Sequence, residues 1–156
     1  MVARALRYIA PFVRKPWRRL YLARRHAGLR SLENEEELER LMLEHNFEIV
    51  ALDDVSLDFQ IELFSQAAMI VAPTGAALTN MLFCQPGAKV IIFMSNHDIT
   101  NYYFWSQLGD IAGLDVEILA GERLYNLTNR DSVHDDYRVD PTIVLQELRR
   151  LIPFSG

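Results

Sequence analysis

Apolar residues along this chain of 156 residues fall alternately into short unbroken runs and into stretches spaced by three and four, which predicts strand and helix in turn. Near the start, Val2, Leu6, Ile9 and Val13, with Arg4, Arg7 and Arg14 between them, have the spacing of a surface helix that Pro11 and Pro16 interrupt. Residues 19–23 are the first strand-like run. Asn34 and Glu37 have capping-box spacing ahead of a helix with the buried stripe Leu38, Leu41 and Met42. Residues 47–52 predict a second strand, and Ser56 caps a helix in which Phe59, Leu63, Phe64 and Ala67 share a face.

Residues 69–72 are wholly apolar and stop at Pro73-Thr74-Gly75, as a strand buried on both faces does. A short helix over 78–83 precedes the turn signal Pro86-Gly87, and residues 89–93 are the clearest strand in the chain. Tyr102, Tyr103, Phe104 and Trp105 lie in a helix predicted over 101–112 and ended by Gly113. Residues 115–119 are a fifth strand, and 121–137 read as loop. Asp140 caps a last helix that Pro141 opens, with Val144, Leu148 and Leu151 inward.

Strand and helix alternating five times imply parallel pairing through right-handed crossovers. The expected fold is α/β: a Rossmann-like three-layer sandwich with a mostly parallel sheet of about five strands over 18–156, preceded by a basic connector over 1–17. Such sheets bind ligands beyond the carboxyl ends of their strands, so chemistry belongs in the loops after Ala23, Leu52, Ala72 and Phe93.

Composition adds a charge asymmetry. Residues 1–32 hold nine basic residues and no acid, whereas the rest holds 7 basic against 21 acidic, for a net charge of -5. Half the residues are hydrophobic, which excludes disorder for the whole. A single cysteine, Cys84, excludes an internal disulfide framework and suits a reducing, cytoplasmic setting. No apolar run has the roughly 18 residues that span a bilayer. Nucleic acid is not the expected partner, because the remainder is acidic and carries no recognition motif.

The loop Ala72-Pro-Thr-Gly-Ala-Ala-Leu-Thr-Asn80 joins a buried strand to a helix start. Gly75 permits close backbone approach or positive φ there, and free N–H groups of Ala76 and Ala77, with the hydroxyls of Thr74 and Thr79, suit a phosphate or diphosphate. Neither the dinucleotide fingerprint nor the P-loop pattern is present, so a tight turn without a ligand is the alternative reading.

Residues 55–90 resemble the C-terminal half of glycosyltransferase family 61, which includes bacterial capsular polysaccharide biosynthesis proteins and eukaryotic xylosyl- and N-acetylglucosaminyltransferases. The resemblance rests on Gln60, Leu63, Phe64, Ala67, Gly75, Ala76, Leu78, Thr79, Asn80, Pro86 and Gly87, which follow the family's order of helix, short strand, G-P-H-G-A-G-L-T-N and LF..PG..V. Upstream, Tyr21-Leu-Ala-Arg24 and Arg30-Ser-Leu-Glu-Asn34-Glu35 are similar to its strand-plus-Arg and R-x-x-x-N-E segments, and the likeness extends over roughly residues 18–120. It implies an inverting, nucleotide-sugar-dependent transferase of the two-Rossmann-domain GT-B type, of which this chain is the donor-binding half. Three departures stand out: Thr74 replaces the family's His, Ala77 its third small residue, and residues 90–94 hold no acid.

Arg24 and Arg30 then join Thr74, Gly75, Ala76, Ala77, Thr79 and Asn80 as expected donor and phosphate contacts, since guanidinium forks match diphosphate oxygens. Asp54, with Asp53, and Glu35 are candidates for the ribose or base. An inverting transfer needs a base near the reacting carbon, and His97, after the clearest strand, is the candidate within the chain. His134-Asp135-Asp136 reads as solvated loop rather than a metal site, Asn126-Leu-Thr128 as a chance sequon, and the aromatic cluster at 102–105 as core. No cofactor is firmly implied, and a divalent metal is left open. The expected partners are a nucleotide sugar, a saccharide acceptor, a missing N-terminal domain or second copy, and through residues 1–19 a membrane surface. A donor-binding transferase domain in polysaccharide biosynthesis is the leading expectation; a non-catalytic nucleotide-sugar-binding or interaction module is the alternative.

Overall fold

The computed structural model describes residues 15–25, 30–97, 100–124 and 134–152. The expected helix through Val2 and Val13, the sequon at Asn126 and the basic residues up to Arg14 lie outside the described residues.

The elements run β1 (Arg18–Leu22), α1 (Glu35–Glu44), β2 (Glu48–Val50), α2 (Leu57–Ser65), β3 (Ala67–Pro73), a 3-10 helix (Ala76–Phe83), β4 (Lys89–Ser95), α3 (Tyr103–Ala112), β5 (Asp115–Arg123), β6 (Tyr137–Arg138) and α4 (Pro141–Leu151). They form one sheet in the order β2-β1-β3-β4-β5-β6. The first five strands are parallel, and β6 pairs antiparallel with β5. The fold is thus Rossmann-like α/β. The chain leaves β1 toward β2 on one side and returns to β3 on the other, so the direction of winding reverses between β1 and β3, where open α/β sheets form a ligand crevice.

Side-chain alternation divides the core in two, since successive residues of a strand point to opposite faces. Val90, Ile92 and Met94 of β4 pack with Phe64 of α2, Met81 of the 3-10 helix and Trp105 of α3. Ile91 and Phe93 point the other way and pack with Leu38 and Met42 of α1 and Val144 and Leu148 of α4. Helices therefore cover both faces, the expected three layers.

Local signals set several helix ends. Ser56 Oγ accepts the Phe59 N–H at 3.4 Å and Asp140 Oδ1 accepts that of Thr142 at 2.8 Å, each supplying an acceptor to an otherwise orphaned donor. Gly113 ends α3 at φ 71, left-handed backbone that favours glycine.

Four expectations are corrected. Part of the stretch 121–137, read as loop, is strand: β5 continues to Arg123, and residues 137–138 pair with it as the sixth strand of a sheet expected to have about five. The helix after β3 is 3-10, with Leu78 N–H donating to Gly75 O at 3.1 Å. Phe59 is half-exposed at the open end of α2 rather than on its buried face, and Ala67 belongs to β3. Asn34 does not cap α1: its amide donates to Val139 O at 2.8 Å and accepts the Val139 N–H at 3.2 Å, tying the helix to the strand region 105 residues away.

Cys84 is buried in the first cluster, and that burial pushes its thiol up to about 12. Thiolate is the reactive form. Cys84 should therefore resist a thiol reagent in the native protein and react only as fast as the chain opens, a rate that should converge on full reactivity in denaturant.

Candidate functional site

The turn after β1 is built around Arg24. Its backbone N–H donates to Glu35 Oε1 at 2.9 Å, and the same oxygen receives the Tyr21 hydroxyl at 3.4 Å. Burial, reinforced by the neighbouring Glu35 carboxylate, pushes the Tyr21 phenol far above its ordinary range, so it stays a donor. Glu35 is thereby a brace for the turn. The Arg24 guanidinium crosses to β3, where Nη1 donates to Thr74 O at 3.0 Å and to Arg30 O at 3.4 Å.

Gly75 matters because of that crossing. A Cβ there would stand 3.3 Å from Arg24 Nε and 3.4 Å from its Cδ. Its φ of 171 is extended backbone, so of the two reasons for a glycine, close approach is the one the structure uses. The 3-10 helix starts at once, which leaves the N–H groups of Ala76 and Ala77 without an intrahelical acceptor. Thr79 Oγ1 donates to Ala76 O at 2.8 Å. Asn80 Nδ2 donates to Gln60 Oε1 at 2.7 Å, and Gln60 Nε2 to Val55 O at 2.7 Å, so this pair fixes the 3-10 helix against α2.

These groups border a cavity of about 520 Å³ at the ends of β1, β2 and β3, the reversal point of the sheet. Arg24, Gly75, Ala76, Ala77, Thr79 and Asn80 line it together, as do Gln60 and Asp53. One cation and two open backbone donors face one space there. Of the acids considered for the ribose or base, Asp53 after β2 reaches the cavity, while its neighbour Asp54 and Glu35 of α1 do not line it.

Thr74 and Arg30 belong to a second cavity of about 470 Å³, on the β4 side, with Met94, Ser95, Thr100, Asn101, Phe104 and Trp105. Thr74 is buried, and its Oγ1 accepts the Trp105 indole N–H at 3.1 Å. The structure thus splits the two arginines expected at one diphosphate. Phe104, grouped with the core by sequence, is half-exposed at this second cavity and meets Trp105 edge to face at 4.8 Å.

His97 lies at the correct edge, after β4, but it is buried and borders neither cavity. Arg25 turns away from both to pair with Glu39 at 2.7 Å. Asp135 is no solvated loop residue, since it forms a buried ion pair with Arg123 at 2.8 Å, and Asp136 Oδ1 accepts the Ser31 N–H at 2.8 Å. Among the described residues no His, Cys, Asp or Glu side chains gather into a metal-holding group.

Gln60, Asn80 and Trp105 act through partners 20 and 31 residues away, spacings that no local pattern encodes. The family resemblance was the one signal that pointed to Gln60. A comparison with protein families matches residues 2–91 to the model described as Glycosyltransferase 61. The match takes in residues 2–17, upstream of the stretch whose motifs carry the resemblance. No curated protein matches the chain.

Proposed function

Because the chain belongs to the glycosyltransferase 61 family, whose model covers more than half of it, we propose that its first cavity holds the diphosphate of a nucleotide-sugar donor. The observation that carries this reading is the convergence of Arg24 with the open N–H groups of Ala76 and Ala77 on one cavity at the sheet's reversal point. Backbone donors at a helix start and a guanidinium fork both favour an anion with several oxygens. Asp53, at the end of β2, takes the ribose hydroxyls in this arrangement, in place of Asp54.

The transfer itself is general glycosyl transfer, and the finer proposal is inversion at the sugar carbon onto a saccharide acceptor in polysaccharide synthesis. In that reaction the residues of this cavity bind the leaving nucleoside diphosphate and stabilise the charge it gains as the glycosidic bond breaks.

A second reading, a nucleotide-sugar-binding module without turnover, is favoured by a specific observation. Where the resemblance places a histidine, this chain has Thr74, whose hydroxyl is engaged by Trp105, and His97 borders neither cavity.

Calorimetric titration with nucleoside diphosphates tests the shared claim. The parent should bind, and Arg24→Ala should weaken binding about tenfold, the loss of one charge-assisted contact. Release of nucleoside diphosphate from a nucleotide sugar in the presence of an acceptor separates the enzyme from the module. Absence of binding at millimolar nucleotide would remove both.

A further inference from the structure

The donor site leaves Arg30 unused. Every other half-buried arginine among the described residues is held: Arg18 by Glu48 and Gln66, Arg19 by His45 O, Arg24 by Thr74 O and Arg123 by Asp135. Arg30's side chain has no hydrogen bond or ion pair among the described residues, and its Nε is fully enclosed. An enclosed guanidinium N–H that gives up hydration without gaining an acceptor is unfavourable, and the rest of the same cation stands at a cavity wall with no counter-charge among the described residues, which points to a ligand that supplies the charge. Its backbone is held as well. Arg30 has φ 57, left-handed for a residue with a side chain, while its N–H donates to His134 O at 2.9 Å.

The rest of the second cavity has the same polarity. The Trp105 indole only donates, so Thr74 Oγ1 is the acceptor in that bond and its own proton is directed elsewhere. Asn101 Oδ1 accepts the Tyr103 N–H at 3.1 Å, and the amide hydrogens of Asn101, which lines the same cavity, have no acceptor among the described residues. The Ser95 carbonyl already accepts the Tyr102 hydroxyl at 2.8 Å. A lining so rich in donors fits a group with oxygens and no protons, and the half-exposed ring of Phe104 adds an apolar face of the kind that packs against sugar C–H bonds.

From this geometry we infer that the cavity beside β4 is a subsite for an acidic saccharide, its carboxylate held by Arg30 with Thr74 and Asn101 and its ring against Phe104. The saccharide rests on the transferase reading; the anion requirement rests on Arg30.

The test is calorimetry on the full chain with glucuronate, glucose and inorganic phosphate as probes. Glucuronate should bind at least about tenfold more tightly than glucose, the margin expected for a charge-assisted bidentate contact. Arg30→Gly relieves the left-handed backbone, so it should fold at least as well as the parent, lose glucuronate binding and keep nucleoside diphosphate binding within about twofold. Equal affinity for glucose, glucuronate binding that survives Arg30→Gly, or phosphate displacing glucuronate at lower concentration would each overturn the subsite, the last by making Arg30 a phosphate ligand. A parent protein that binds glucuronate through Arg30 but binds no nucleoside diphosphate supports the subsite and removes the donor reading alone.

Discussion

Gly75→Val should weaken nucleoside diphosphate binding by more than about a hundredfold while the melting temperature stays within a few degrees of the parent's. The two halves of that expectation have separate causes. Gly75 has extended backbone at φ 171, which valine adopts without strain, and it sits at a cavity rather than in the core. What valine meets is Arg24, whose Nε would be 3.3 Å from the first added carbon, with the two methyl groups still to be placed. The guanidinium must leave Thr74 O, and the methyls then occupy the space in front of the Ala76 and Ala77 N–H groups. Cation and backbone donors are lost together, so the effect exceeds that of Arg24→Ala. Gly75→Ala provides the graded control: its single carbon touches the far end of a flexible side chain, and a loss of only a few-fold is expected. Calorimetry on the three variants orders them, and a Gly75→Val protein that binds like the parent would move the phosphate site elsewhere.

The parts of the fold legible in the sequence are those set by neighbours along the chain. Unbroken apolar runs at 69–72 and 90–93 appear within the central strands β3 and β4, because the covered stretch of a strand needs apolar side chains on both faces. Gly113 and Asp140-Pro141 mark helix ends through backbone chemistry that operates within four residues. What failed depended on distant partners. Asn34 has the right spacing to Glu37 for a capping box, yet its amide has a better-satisfied alternative in both backbone groups of Val139. Residues 137–138 form too short a strand to carry a pattern, and their pairing is held by tertiary bonds such as Arg123–Asp135.

The site divides the same way. The turn at 72–80 is readable because strand, glycine and helix start are contiguous, and the structure puts all of it at the reversal point. Arg24 and Arg30 looked equivalent as two cations in one loop region. They are separated by the Thr74–Gly75 backbone, whose position depends on β3, and only in three dimensions is one seen held and the other left without a side-chain partner among the described residues. Phe104 sits in a helix of apolar and aromatic residues, and the rotation of that helix decides that Trp105 enters the core while Phe104 faces the cavity.

Gly121→Ala should lower stability by about 2–3 kcal/mol and the melting temperature by about 5–10 °C, a large loss for one methyl group. Gly121 is in β5 where β6 and the residue after it cross closest: a Cβ would lie 2.6 Å from Arg138 O and 2.8 Å from both Tyr137 Cδ2 and Val139 Cγ2. One of those is backbone, so rotamer changes cannot make room and β6 must move away. That movement reaches the second cavity. Tyr137 exchanges backbone bonds with the segment that follows Arg30, taking the Glu33 N–H at 2.8 Å and donating its own to Ser31 O at 3.1 Å. Its hydroxyl, buried and with its pKa raised chiefly by that burial, donates to Phe93 O at 3.1 Å, the carbonyl that also holds the Thr74 N–H at 2.8 Å. Shifting β6 thus loosens Arg30 and Thr74 first; Arg24 shares their carbonyls, but its turn is also braced by Glu35 and its side chain packed on Gly75, so it is disturbed less. Hydrogen exchange should show lost protection at the Glu33 and Tyr137 amides first, and glucuronate affinity should fall further than nucleoside diphosphate affinity. Parent-like melting with unchanged protection at those amides would mean that β6 does not pack on Gly121, and the brace beneath Arg30 would have to be sought elsewhere.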